Sequence, residues 1–285
     1  MKLAKVGRTS AEIFTLLMFI VFLFPFVLVF INSAKTAFEV TQYPLAMPDQ
    51  WSNIFKNIAS IWTSPNIRYP ASLFSSFFIT VLSLVLINLL SSQAAWVLVR
   101  TKSKTSTAIF FIFVAAMVIP FQIVMLPLLS WLRTITDFTG IRLLRTYTGM
   151  ILAYIGFGVS LSIFMFHGFI KSIPLELEEA ATIDGCTRFQ IFYKIIFPIL
   201  TPIHVTVLIL NGIWIWNDYL LPLLILGKGN AIQTLPLAVS NFAGAFVKQW
   251  DLILTAILMA MIPVVLFFLL AQKYIVKGMV AGSIK

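Results

Sequence analysis

The sequence predicts an all-α polytopic membrane protein with six spanning helices. Hydrophobic residues make up 60% of its 285 residues and charged residues 11%, so there are too few polar side chains to cover a soluble globule. Uncharged stretches long enough to cross about 30 Å of hydrocarbon also recur along the chain. We count six of them, at residues 13–34, 69–99, 105–132, 146–170, 195–217 and 252–272.

The first stretch follows three basic residues, Lys2, Lys5 and Arg8, as the core of a cleaved secretory signal also would. Its apolar run is longer than the roughly 7 to 15 residues of a signal core. The Asn-Ser-Ala sequence at 32–34 is also a poor cleavage site. We therefore interpret this stretch as an uncleaved spanning helix.

Prolines interrupt the third, fifth and sixth stretches at positions 120, 127, 198, 202 and 263. Each removes a backbone donor, and such breaks are tolerated where neighbouring helices or an aqueous cavity satisfy the freed carbonyl groups. Proline is also common in membrane helices, so a pathway and simple packing both remain open. A seventh uncharged stretch, 229–247, carries several polar side chains and two glycines, and we interpret it as a loop or interfacial segment.

The basic residues favour an orientation with both termini in the cytoplasm. We attribute the formal net charge of +10 to the positive-inside rule and not to nucleic-acid binding. Three arginines in a short outer loop, Arg133, Arg142 and Arg145, go against that rule. Twelve of the twenty Lys and Arg residues lie inside: Lys2, Lys5, Arg8, Arg100, Lys102, Lys104, Lys171, Arg188, Lys194, Lys273, Lys277 and Lys285.

This topology divides the chain into three parts. Residues 1–70 comprise the first helix and an extracytoplasmic segment rich in Pro and Trp. Residues 71–276 form a core of five spanning helices, which includes a long inner loop at 171–198, and residues 277–285 form a cytoplasmic tail.

Few ionisable residues fall inside the spans, which argues against an enzyme or an ion-coupled carrier. The two histidines, His167 and His204, have no acidic residue at the spacing of a metal site or a catalytic triad, and Cys186 is the only cysteine. The phosphate-binding pattern Gly-x-x-x-x-Gly-Lys is missing its first glycine, which Pro222 replaces. We expect no catalytic or metal site here, and any ATPase would be a separate chain.

The inner loop concentrates acidic residues. Pro174 suits the first turn of a helix, acidic side chains stabilise the positive end of the helix dipole, and Gly185 is a suitable left-handed stop. Thr187 and Gln190 form a capping-box pattern that opens a second helix. Because a helix of about ten residues is marginal alone, we expect a partner to hold it in place. Four of the ten acidic residues lie in this loop: Glu176, Glu178, Glu179 and Asp184.

The spacing of the loop is more specific than that of a solvated acidic face. Its pattern is Glu-Ala-Ala, three residues, Gly, nine residues, Ile, one residue, a position that is Phe here, and Pro. The residues are Glu179, Ala180, Ala181, Gly185, Ile195, Phe197 and Pro198. This pattern resembles the EAA signature of ABC importer permeases, in which leucine usually stands in the position of Phe197.

Further segments extend the resemblance from about residue 70 to the end of the chain. In the same order as in carbohydrate-uptake permeases stand AAWVLVRTKSK at 94–104, MVIPFQIVMLPL at 117–128, WNDYLLPL at 216–223 and QKYIVKGMVAGSIK at 272–285. The chain is similar to the smaller, MalG-like permease subunit of the maltose and multiple-sugar type.

The resemblance implies the type I ABC importer permease fold and a multi-pass place in the bacterial cell membrane. It implies a second, MalF-like permease subunit, two ATP-binding subunits and an extracytoplasmic sugar-binding protein, besides membrane lipid. This chain would bind no cofactor, with ATP and Mg in the partner ATPase. A tail like residues 277–285 reaches into the ATPase interface in that family. The implied ATPase-coupling residues are Glu179, Ala180, Ala181, Asp184, Gly185, Ile195 and Pro198.

Of the loop acids, we expect Glu179 to contact the ATPase, and Glu176 and Glu178 only to favour the helix start and solubility. Two other functions stay open from the sequence. The first is a permease of the same fold for another solute, such as a polyamine or phosphate. The second is an ion-coupled secondary carrier, which the scarcity of intramembrane acids disfavours.

The fifth stretch carries a polar face. His204, Asn211 and Asp218 recur at seven-residue spacing with Trp214 between the last two, so they share one side of a helix. Amides, carboxylates and aromatic faces suit a sugar, which makes Asn211, Trp214, Asn217 and Asp218 candidates for a substrate pathway or gate. Hydrogen bonding between subunits is the alternative for Asn211. The second stretch adds a milder polar stripe of Ser76, Thr80, Ser83 and Ser91.

Overall fold

The computed structural model describes residues 2–65, 68–245 and 249–283, and within these ranges the chain forms helices joined by turns and short loops. Two compact units divide it, residues 1–70 with 238–263, and residues 71–237 with 264–285. In chain order the helices are α1 (Lys2–Ser33), α2 (Ala37–Gln42), α3 (Asn53–Thr63), α4 (Tyr69–Arg100), α5 (Lys104–Ala116), α6 (Phe121–Thr139), α7 (Tyr147–Ile170), α8 (Glu176–Ile183), α9 (Arg188–Ile191), α10 (Phe197–Ile199), α11 (Thr201–Asn217), α12 (Leu220–Ile225), α13 (Leu235–Ala245) and α14 (Trp250–Ser283).

The first unit is held by a buried lysine just beyond α1. The Lys35 ammonium is 1% exposed and donates to Asn32 Oδ1 at 3.0 Å and to the Tyr43 carbonyl at 2.8 Å. Burial lowers the pKa of Lys35, and the nearby Glu39 carboxylate opposes that change. The Asn57 side-chain amide adds a further connection by donating to the Lys35 backbone carbonyl at 3.0 Å. The ammonium also donates to the Pro44 carbonyl at 3.3 Å, and with three acceptors the charge can remain buried.

Among the residues that the structure describes, four helices are long and apolar enough to cross a membrane alone: α4, α7 and the segments Ala11–Ser33 of α1 and Trp250–Leu269 of α14. Two further crossings are possible only as bent pairs. The helices α5 and α6 meet at 108°, and the segment Arg188–Ile199 meets α11 at 73°. Six spans therefore follow if each bent pair counts as one, and both bends fall beside prolines that interrupt the predicted stretches 105–132 and 195–217.

Proline chemistry accounts for both bends. Pro120 stands at the start of α6 with extended backbone (ψ 137°) after a turn at 117–119, because proline has no donor and restricts the residue before it. Pro198 and Pro202 fall in the first turns of α10 and α11, where a missing donor costs nothing. Pro127 lies inside α6 without ending it.

The second unit packs around two apolar clusters. One joins α4, α6, α7, α11 and α12 through residues such as Ile87, Tyr154 and Ile215. The other joins the ends of α4 and α7 to the inner loop and includes Phe166, Ala181 and Phe192. The inner loop is therefore part of the folded core.

Two boundaries differ from the sequence prediction. The region expected to be loop or interfacial, 229–247, contains the helix α13. The helix α14 continues to Ser283, past the end predicted at residue 272, and the last two residues of the predicted tail lie outside the described residues.

Candidate functional site

The inner loop contains the short helix α8, which ends at Ile183, and Gly185 forms the left-handed stop after it, as predicted. The φ of Gly185 is +82°, a left-handed value that glycine adopts without strain. The amide of Cys186 donates to the Ala181 carbonyl at 2.9 Å, and the amide of Gly185 donates to the Thr182 carbonyl at 3.1 Å. This pair of bonds is a Schellman motif, so the turn after α8 is well defined.

The second part of the loop starts at the predicted capping box. The Thr187 amide donates to Gln190 Oε1 at 2.8 Å, and the Gln190 amide donates to Thr187 Oγ1 at 3.3 Å. After one turn of α9 the chain forms a π-turn at Phe192–Ile196 before α10. Such turns are rare and frequently lie at functional sites.

Glu178 fastens α8 to the end of α4. Its carboxylate accepts Arg100 Nε at 2.7 Å and Trp96 Nε1 at 3.0 Å, and the side chains of Arg100 and Glu178 are 19% and 10% exposed. Arg100 Nη2 also donates to the Ile173 carbonyl, just before α8, at 3.1 Å. The ion pair is therefore mostly buried and has hydrogen-bond partners on both sides.

This arrangement corrects the interpretation of Glu178 as a residue for helix start and solubility only. Glu178 is 8% exposed and holds the loop on α4. A signal for it was present, because Trp96 and Arg100 are four residues apart and share one face of a helix. The pairing of that face with Glu178 could not be read from the sequence.

The predicted coupling residues divide into an inner and an outer set. Ala181 is 6% exposed and packs in the core, while Ile195 is half-buried. The structure exposes the remaining five: Glu179, Ala180, Asp184, Gly185 and Pro198. These five residues are therefore available to another molecule.

Two large apolar side chains that the sequence reasoning missed share this exposure. Ile183, in the last turn of α8, is 87% exposed, and Phe189, in α9, is 74% exposed. Leu177 adds a third at 45%. Apolar side chains grouped on an otherwise polar surface are typical of interaction sites, and the helical positions of Ile183 and Phe189 opposite buried residues were a usable signal.

The polar face of α11 is partly buried. Asn211 is 3% exposed, and its Nδ2 donates to Ser162 Oγ of α7 and to the Val207 carbonyl, each at 3.0 Å. Trp214 is 40% exposed and meets the Tyr154 ring edge-on at 5.4 Å. Both Asn211 and Trp214 line a mainly apolar cavity of about 1060 Å³ between α6, α7 and α11.

The other two pathway candidates lie elsewhere. The exposed Asn217 amide donates to the Ile213 carbonyl of its own helix at 2.8 Å. The Asp218 carboxylate accepts the Leu220 amide at 3.0 Å and the Tyr154 hydroxyl at 3.2 Å, so it caps α12. Burial raises the pKa of Asp218, and these hydrogen bonds oppose the rise. Two of the four predicted pathway residues, Asn211 and Trp214, therefore line the cavity.

His204 and the serine stripe of α4 also serve packing. The His204 ring contacts Asn88 Oδ1 and lies 4.2 Å from the Phe197 ring, centroid to centroid. Ser76 accepts the Leu235 amide at 2.7 Å. In the stretches that the structure describes, no three His, Cys, Asp or Glu residues are grouped as metal ligands would be. His204 and Ser76 therefore connect helices, whereas the buried Ser83 and Ser91 hydroxyls have no hydrogen-bond partner among the described residues.

Comparison with known proteins bears on this geometry. The family described as "Binding-protein-dependent transport system inner membrane component" matches residues 87–281. The chain is 40% identical over 261 residues to a probable starch degradation products transport system permease of Thermoanaerobacterium thermosulfurigenes, covering 92% of this chain and 91% of that protein. It is 35% identical to the melibiose/raffinose/stachyose import permease of Bacillus subtilis, with 81% of each covered.

A solved structure has the same fold. It is a bacterial ABC transporter involved in the import of the acidic polysaccharide alginate, one chain of which matches with a TM-score of 0.78 and 22% identity. The match covers 95% of this chain and 96% of that one.

Proposed function

This chain belongs to the family of binding-protein-dependent transport system inner membrane components, and we propose that it is one permease subunit of a bacterial ATP-driven sugar importer. It is a multi-pass cell-membrane transport subunit and not an enzyme. Its relatives are named for starch degradation products and for melibiose, raffinose and stachyose. These names support a carbohydrate over a polyamine or phosphate.

In this proposal the chain forms half of a translocation pathway and a MalF-like subunit forms the other half. The two bent helix pairs each count as one span, which gives six spans with both termini in the cytoplasm. Residues 1–70 supply the first span and an extracytoplasmic segment, and residues 71–276 supply the permease core. Two ATP-binding subunits, with their ATP and Mg, supply energy, and an extracytoplasmic binding protein delivers the sugar.

The outer side of the inner loop is the proposed docking surface for the ATPase. The observation that carries this proposal is that α8 is anchored from behind by the Arg100–Glu178 pair at 2.7 Å and leaves Glu179, Asp184 and Ile183 exposed. A helix that is fixed to the bundle on one side and exposed on the other transmits the movement of a bound partner to the bundle. Coupling of this kind requires an element with two positions, of which the partner favours one.

Purification of the tagged chain from its native membrane tests the assembly. We expect a second permease and an ATP-binding chain to co-purify, and uptake of labelled oligosaccharides to depend on ATP. Co-purification without any ATP-binding chain would overturn the proposal. Uptake of a polyamine or phosphate in place of sugars would overturn its substrate class alone.

Charge reversal at Glu179 tests the docking surface itself. Because the side chain is exposed and has no hydrogen bond within the described chain, Glu179→Lys is expected to insert normally but to lose at least roughly tenfold of uptake, which is about 1.4 kcal/mol of coupling. The matched control is Glu176→Lys, in the same turn and equally exposed. Equal uptake in the two variants would refute the specific role of Glu179.

A further inference from the structure

A second cavity lies where α4 ends, α5 begins and α7 ends. Its volume is about 580 Å³, and its lining includes Lys102 and Lys104 beside α5 and Lys171 after α7. No Asp or Glu lines it. All three lysines are exposed, and no carboxylate of the described residues lies within ion-pair distance of them. The cavity therefore carries a net positive charge that the chain itself does not neutralise.

The start of α5 adds to this charge. Ser103 caps the helix by accepting the Ser106 amide at 3.0 Å, and both residues line the cavity. The amides of the first turn and the helix dipole place partial positive charge at this end. Oxygen atoms of an anion are the natural complement to such an end.

A buried imidazole supplies an independent polar group. His167 is 8% exposed, lines the cavity and stacks on the Phe110 ring at 3.7 Å between centroids. Its ring nitrogens make no hydrogen bond to any residue that the structure describes. Both nitrogens keep some accessible surface, so they are open to a ligand in the cavity that the residue lines.

Apolar side chains continue from the cavity along α5. Phe111 forms part of its wall and is 61% exposed, and Ile112 beside it is 67% exposed. Exposed apolar side chains on a spanning helix suit a hydrocarbon environment. The cavity thus combines a cationic mouth, formed by the lysines, with an adjoining exposed apolar surface on α5.

We propose that this cavity binds the phosphate group of an anionic phospholipid, with the acyl chains lying along α5. The lysines and the start of α5 hold the phosphate oxygens, and His167 donates to the headgroup. Basic pockets between spanning helices are a recognised chemistry for anionic headgroups. A soluble anion would use the cationic mouth alone and would leave Phe111 and Ile112 without a role, so the structure favours the lipid.

Native mass spectrometry of the assembled transporter tests the proposal. Phosphatidylglycerol and phosphatidylcholine with identical chains are added in equal amounts, and bound lipid is counted. We expect phosphatidylglycerol to be retained preferentially, and Lys102→Gln/Lys104→Gln to weaken that retention roughly tenfold or more. The control Lys56→Gln/Lys228→Gln removes the same charge from exposed lysines outside the cavity and should match the unsubstituted chain.

Four results would overturn the proposal. They are equal retention of the two lipids, unchanged retention in Lys102→Gln/Lys104→Gln, full displacement of the lipid by inorganic phosphate, and loss of the ATP-binding subunit from that variant while lipid retention stays unchanged. The third result would indicate a soluble anion, and the fourth a protein-docking surface. Recovery of retention in Lys102→Arg/Lys104→Arg would support the proposal, because arginine restores the charge.

Discussion

The inner loop and the polar face of α11 both place polar residues in an apolar chain, but they use them differently. In the loop, neighbouring acids separate: Glu178 is bonded to α4, and Glu179 is exposed. On α11, Asn211 and Asp218 find partners on α7 within the same chain. A polar residue in a membrane subunit therefore indicates an external partner only when no internal partner satisfies it.

The largest expected effect breaks the anchored side of the loop. Glu178→Ala leaves the Arg100 guanidinium mostly buried without its carboxylate, which should cost about 3 kcal/mol and reduce the amount of assembled transporter. Thermal unfolding of the purified chain measures this cost. Glu179→Ala is the control and should not lower stability. If both substitutions lowered it equally, the division into an anchored and a free side would fail.

The second effect concerns the turn between the two loop helices. Gly185→Val places a β-branched residue at a φ of +82°, with a cost of about 1 to 3 kcal/mol. Open space surrounds the position, so the cost is conformational. We expect insertion to persist and uptake to fall, and Gly185→Asn to lose less because asparagine tolerates this conformation. Equal uptake in the valine and asparagine variants would contradict this explanation.

The two cavity residues of α11 should respond differently from each other. Asn211→Ala removes two buried hydrogen bonds at 3.0 Å and should lower stability by about 1 to 2 kcal/mol. Trp214 is 40% exposed, so Trp214→Ala should instead raise the uptake KM for the native sugar. If neither substitution changed uptake kinetics, the cavity would lose its assignment to the pathway.

The smallest effect is expected at Asp218. Asparagine caps a helix about as well as aspartate, so Asp218→Asn should change stability by less than about 1 kcal/mol. Burial raises the pKa of this carboxyl, so the folded state favours the proton and stability should fall as pH rises from the unfolded value of about 3.9 through the raised value. Between those two pH values, the free energy of unfolding of Asp218→Asn should change less with pH than that of the unsubstituted chain. A stability that rose with pH in the unsubstituted chain, and did not in the variant, would contradict the assigned sign.

Local chemistry explains what the sequence could predict. The stop at Gly185 and the capping box at Thr187 depend on neighbours a few residues away, and both were confirmed. The prolines near both bends were recognised as interruptions, but the bend angles of 108° and 73° could not be predicted, because hydropathy does not respond to a change of direction within an apolar stretch. The Glu178 anchor was missed because Arg100 lies 78 residues away along the chain.

The α11 face was predicted in composition but not in its surroundings. Seven-residue spacing predicted that His204, Asn211 and Asp218 share one side of a helix, but α11 ends at Asn217 and Asp218 lies just beyond it in extended backbone. Which neighbour that side meets depends on tertiary packing, and Ser162 stands 49 residues from Asn211 in the sequence. Spacing therefore predicted the shared side, and only the structure separated the cavity residues from the cap of α12.

The π-turn at Phe192–Ile196 connects the two regions, and it constrains how this segment can evolve in length. Each helical residue advances the side-chain direction by about 100°, and a π-turn absorbs one residue beyond the α-helical count. Loss of a single residue here would leave a regular α-helical turn and keep the direction of the side chains that follow, whereas loss of one residue from α11 before Asn211 would rotate Asn211 away from Ser162. Related sequences should therefore accept a deletion of one residue at 192–196 but not within 201–211.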